Sequence, residues 1–96
     1  LLSQIKQEKN TWRLPPIHTI REDQKGNIWV GTTEGLFLYY PKSGEFSRFY
    51  SNPNDPKSLI DNSILDIHCS PDGQVWLSSP KGFSKLIWEN GKVSFE

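Results

Sequence analysis

The chain has 96 residues, enough for one small domain, and its 11 basic and 11 acidic residues leave no formal net charge. That balance speaks against a nucleic-acid binder, and no run of about 18 apolar residues is present to enter a membrane. The single cysteine, Cys69, excludes an internal disulfide and any zinc pattern built on cysteines.

In chain order, residues 1–16 read as the end of a preceding unit and its connection, with Pro15-Pro16 leading into a strand over 17–23. A turn at Gln24-Lys25-Gly26-Asn27 leads to a second strand, Ile28–Thr32, apolar on both faces. Thr33-Glu34-Gly35 turns into a third strand over 36–40, rich in aromatic and aliphatic residues. Lys42-Ser43-Gly44 turns into a fourth over 45–50. Residues 51–63 (SNPNDPKSLIDNS) hold two prolines, three Asn and two Asp, so they read as a loop. Leu59 and Ile60, its apolar residues, are expected to pin it to the core.

The order then begins again. Residues 73–83 (GQVWLSSPKGF) repeat 26–36 (GNIWVGTTEGL) at a shift of 47, without a gap. The same shift aligns Ile17 with Ile64, Ile20 with Ile67, Trp29 with Trp76, Gly44 with Gly91 and Ser47 with Ser94. It predicts strands over 64–69, 75–79 and 83–88 and a fourth cut off at Glu96. A fixed period of this size marks an array of like supersecondary units, and four antiparallel strands per unit fit a β-propeller. The expected fold is all-β: two four-stranded antiparallel propeller blades, 17–50 and 64–96, joined by the loop 51–63.

Residues 22–64 also resemble a known family. The pattern runs through Glu22-Asp23, Gly26-Asn27, Trp29, Gly31-Thr32, Gly35-Leu36, Tyr39, Pro41, Gly44 and Phe46, then Asn54 to Leu59, Asn62 and Ile64. It is similar to the two-component regulator propeller repeat. The second copy departs from it at Ser70-Pro71, Ser78-Ser79 and Lys85-Leu86. The resemblance implies the periplasmic sensor region of a hybrid histidine kinase/response regulator of Bacteroidetes type, an inner-membrane protein that responds to oligosaccharides. It implies no catalysis in these blades and no cofactor. A propeller enzyme of the lyase type and a protein–protein scaffold are the alternatives.

Two blades do not close a propeller. Trp29, Trp76, Val30, Leu77, Phe37 and Tyr39 exceed what one blade–blade contact covers, so both outer faces are expected to be bare. The partners expected are neighbouring blades and further copies of the chain, associating into a ring of three or four.

The site candidates are weighed against plainer readings. Trp29 and Trp76 sit mid-strand in apolar runs and read as core anchors, not as sugar platforms. Gly26, Gly35, Gly73 and Gly82 fall in hairpin turns without a following helix, so they are turn residues, not phosphate contacts. Glu22 and Asp23 alternate across a strand and cannot pair as glycosidase carboxylates; Asp23 is expected to bind turn amides near Gly26. His18 and His68 lie on first strands, and with no cysteine support they read as solvated positions, not metal ligands. Ligand contact is expected where loops converge: Thr33, Glu34 and Lys81 of the second-to-third-strand turns, Asn52, Asn54, Asp55 and Lys57 of the interblade loop, and Trp12 as the aromatic surface.

Overall fold

The computed structural model describes residues 15–96. The first quartet of strands is β1 (Ile17–Glu22), β2 (Ile28–Thr32), β3 (Gly35–Tyr40) and β4 (Glu45–Phe49). The second is β5 (Asp66–Cys69), β6 (Val75–Ser79), β7 (Gly82–Glu89) and β8 (Lys92–Phe95). Each quartet is one antiparallel sheet in chain order, and no helix occurs among the described residues. The fold is all-β, two four-stranded sheets consistent with propeller blades. All but Pro15 and Pro16 of the 1–16 segment lies outside the described residues, and Trp12 with it.

The strands end where side chains and amides are diverted. Asp23 leaves β1 because its amide turns back to the Asn27 carbonyl at 2.9 Å, closing the first hairpin. β5 begins two residues later than the shift predicts, because the Ile64 amide donates to the Thr32 carbonyl of the first sheet at 2.9 Å. Gly35, at φ 120°, could carry no ordinary side chain: a Cβ there would meet the Phe49 carbonyl oxygen at 2.6 Å.

The core lies between the two sheets. Trp29, Leu36 and Leu38 of the first sheet meet Ile67, Val75, Leu77, Leu86 and Phe95 of the second, joined by Leu59 and Ile64 from the connection. Burial of such side chains stabilises by about 1.5–3 kcal/mol each. Rings interlock across the seam: Trp29 meets Trp88 edge-on at 6.1 Å between centroids, and Phe49 meets Phe95 at 5.8 Å. Such pairs add about 0.5–1.5 kcal/mol beyond area. Gly31 lets the sheets come this close. A Cβ at Gly31 would lie 2.7 Å from Ile64 Cγ2 and 2.8 Å from Thr19 Cγ2.

Asp23 locks the first hairpin to this seam. Its Oδ1 accepts from the Lys25 and Asn27 amides at 2.9 and 3.0 Å, and its Oδ2 accepts from the Trp29 indole at 2.8 Å. The turn role expected of Asp23 is present, with an indole clamp added to it. In the second blade the equivalent residue is Ser70, whose Oγ takes the Gln74 amide at 3.1 Å. A serine hydroxyl is too short to hold both the turn and an indole.

Three sequence expectations are corrected. Trp76 is not a core anchor: it is 39% exposed, whereas Trp29 is 0% exposed. Among the described residues no sheet lies against its face of the second sheet, and it lacks the Asp23-type clamp. The two outer faces are not both bare. On the first sheet, Ile28, Val30, Phe37 and Tyr39 form a buried cluster flanked by Ile17, Ile20 and Phe46, and the Arg48 guanidinium stacks over Phe37 at 4.8 Å. Of the loop's two apolar residues only Leu59 pins it; Ile60 points outward and is exposed.

Candidate functional site

The interblade loop is a rigid structure built from its own polar side chains. Asn52 Oδ1 accepts the Asn54 amide at 3.0 Å, and Asp55 Oδ1 accepts the Lys57 amide at 2.9 Å. Ser58 ties the two turns together. Its Oγ accepts the Asn52 amide at 2.8 Å, and its one hydrogen is shared between the Asn52 and Asp55 carbonyls at 3.0 and 2.8 Å. Short Asx and Ser side chains favour such local bonds over a regular ladder. At its far end the loop leans on the second sheet, where the Phe95 amide donates to the Lys57 carbonyl at 2.8 Å.

Between this loop and the second sheet lies a cleft of about 300 Å³. Asn52, Asp55 and Ser58 line one wall; Phe83, Ser84 and Glu96 line the other. Phe83 is 80% exposed, the most exposed large apolar side chain among the described residues. The cleft therefore offers one ring face, carboxylates and hydroxyls, and a rigid backbone between them. A second depression, about 540 Å³, joins Asp55 and Lys57 to Glu89, Asn90 and Lys92.

Of the residues expected from sequence, the structure brings Asn52 and Asp55 into the first cleft, and Asp55 with Lys57 into the second. Asn54 is exposed on the same loop but lines neither. Thr33, Glu34 and Lys81 lie outside both clefts and serve their turns. The Thr33 amide donates to the Pro16 carbonyl at 3.1 Å, Glu34 offers its carbonyl to Arg48 at 3.0 Å, and the Lys81 amide donates to Ser79 Oγ at 3.2 Å. Trp12 lies outside the described residues. Phe83, Ser58 and Glu96 were missed. Phe83 matches the core residue Leu36 under the shift, so its hydrophobicity reads as core.

The histidines lie on the first strand of each sheet, β1 and β5. His18 Nδ1 lies 3.0 Å from the Ile64 carbonyl, and His68 is exposed on β5. Among the described residues no three His, Cys, Asp or Glu side chains gather as a metal site. The Cys69 thiol is pushed above its ordinary pKa by burial and by the nearby Asp23 charge, partly offset by Arg21. It stays protonated near neutrality, a poor nucleophile. No helix among the described residues is long and apolar enough to cross a membrane.

Residues 13–34 match the family model described as two component regulator propeller. The match spans β1, the first hairpin turn and β2, the segment that carries the Asp23 clamp and Trp29. A search of curated proteins gives no significant match.

Proposed function

We propose that this chain is a non-catalytic recognition module. It forms part of the periplasmic sensor region of a hybrid two-component signalling protein of the inner membrane. There it contributes to binding an oligosaccharide and to contacts between subunits. The propeller match over residues 13–34 supports the two-component setting. The observation that carries the recognition reading is the loop cleft. Phe83, 80% exposed, stands across from the hydrogen-bonded Asn52–Ser58 loop. A sugar ring presents an apolar C–H face and a rim of hydroxyls, and this cleft presents an aromatic face and a rim of polar groups. At about 300 Å³ it is at the small end of ligand sites, suited to one or two rings of a longer chain.

The test is isothermal titration against a panel of neutral and acidic oligosaccharides. At least one should release heat, and Asp55→Asn should weaken it while keeping the acceptor for the Lys57 amide. A flat titration across the panel would remove the oligosaccharide from the reading.

A further inference from the structure

We propose that the rim of the seam between the two blades holds a binding site for a sugar acid, a hexuronate ring with its carboxylate. The site is separate from the loop cleft and does not rest on it. It is a pocket of about 270 Å³ walled by both sheets. The first blade supplies Asp23, Gln24 and Lys25 from its first hairpin, and the second supplies Gln74 and Trp88. Trp88 is on the side of its sheet that faces the first blade, where it packs against the shared core and meets Trp29 edge-on. A further blade stacked on the outward face of the second sheet would lie on the other side of that sheet. Trp88 stands five residues along β7 from Phe83, roughly 17 Å, so pocket and loop cleft occupy opposite ends of the strand.

The first observation is that this pocket is not part of the repeating blade. Under the shift of 47, Trp88 stands where the first blade has Pro41, and Lys25 stands where the second has Asp72. Residues that the two copies share, such as Gly26 with Gly73, build turns; Lys25 and Trp88 are additions at one seam. The Asp23 carboxylate is an addition of the same kind, and it steadies the wall. Its Oδ1 takes the Lys25 amide at 2.9 Å and so fixes the base of that side chain. Gln24 ties the two hairpins together by donating from its side-chain amide to the Pro71 carbonyl.

The second observation is what the pocket leaves unspent. Lys25 Nζ lies over the Trp88 ring, 5.0 Å from its centroid, and makes no ion pair or hydrogen bond among the described residues. The Gln74 side-chain amide, half-buried in the pocket, has no partner among them either. Asp23, by contrast, already accepts from three donors. On its other side Lys25 borders a depression that holds Lys42 and Glu45, opposite charges that offset each other. An apolar C–H face fits the indole, a carboxylate fits the ammonium, and hydroxyls fit an amide that both donates and accepts. A hexuronate carries all three on one ring, and the volume suits one ring. Binding moves the ammonium from the face of the indole to its edge, where the carboxylate takes it. A cation–π contact is exchanged for a charge-assisted hydrogen bond.

Titration of the 96-residue chain with glucuronate, followed by heteronuclear NMR, tests this. The Trp88 indole, the Gln74 side-chain amide and the Lys25 amide should shift together and saturate with a Kd of roughly a millimolar, as one ring of this size allows. Glucose lacks the carboxylate and benzoate lacks the hydroxyls, and each should bind about tenfold more weakly. Lys25→Met keeps a long stem without charge. It should weaken glucuronate about tenfold and leave the response to glucose unchanged, whereas Lys25→Arg should stay within about threefold of wild type. Lys25 is exposed, so both variants should keep the wild-type fold, which their spectra check. Shifts confined to Asn52 and Phe83 would put the ligand in the loop cleft and overturn this site alone. Glucose or benzoate binding as well as glucuronate, unaltered binding by Lys25→Met, or no saturable shift at all would overturn it too. None of these results bears on neutral oligosaccharides at the loop cleft.

Discussion

Replacing Asp23 with alanine removes one acceptor carboxylate from three donors at once. Two are turn amides, Lys25 and Asn27, at 2.9 and 3.0 Å; the third is the Trp29 indole at 2.8 Å. The amides lie at the rim, where water replaces the lost oxygen, so each costs only about 0.5–1 kcal/mol. The indole is different. Trp29 is 0% exposed, so its N–H is left without a partner inside the seam, at about 1–3 kcal/mol. Together they come to about 3 kcal/mol, or roughly 12–24 °C in Tm for a domain of this size. The control is built into the chain. Ser70→Ala, the matching change in the second blade, touches the Gln74 amide and the Asp72 carboxylate but no buried indole. It should cost about 1 kcal/mol or less. Urea denaturation followed by tryptophan fluorescence measures both. Equal losses, or a loss under about 1 kcal/mol for Asp23→Ala, would refute the clamp.

Three further outcomes are expected. Gly31→Ala drives a methyl into Ile64 and Thr19 at under 3 Å and should cost about 1–3 kcal/mol by thermal melting, whereas Ser78→Ala at the matching place should be near neutral. Arg21→Ala breaks an ion pair with Asp66 at 3.3 Å, exposed on both sides, and should change stability by no more than about 0.5 kcal/mol. Cys69 has its pKa raised, so the folded thiol holds its proton to higher pH than an unfolded one. Its reaction with a disulfide reagent should be slow near neutrality, quicken only in alkali, and reach the free-cysteine rate once urea unfolds the chain.

The sequence by itself determined the repeat, its period and its punctuation. Turn glycines and alternating strands are local: Gly35 follows from a backbone angle, and the β2 and β6 bounds follow from runs of five residues. The Asp23 turn was legible for the same reason, since an Asx side chain reaches only its near neighbours. Asn52 and Asp55 could be placed at a loop end, because polar loop composition marks exposed backbone. The tertiary structure decided which faces are covered. Trp29 and Trp76 read identically along the chain, yet one is sealed and the other open. Burial belongs to a pair of sheets and not to a strand. Phe83 was hidden for that reason: hydrophobicity says a residue gains from being covered, and only the arrangement of blades says whether anything covers it.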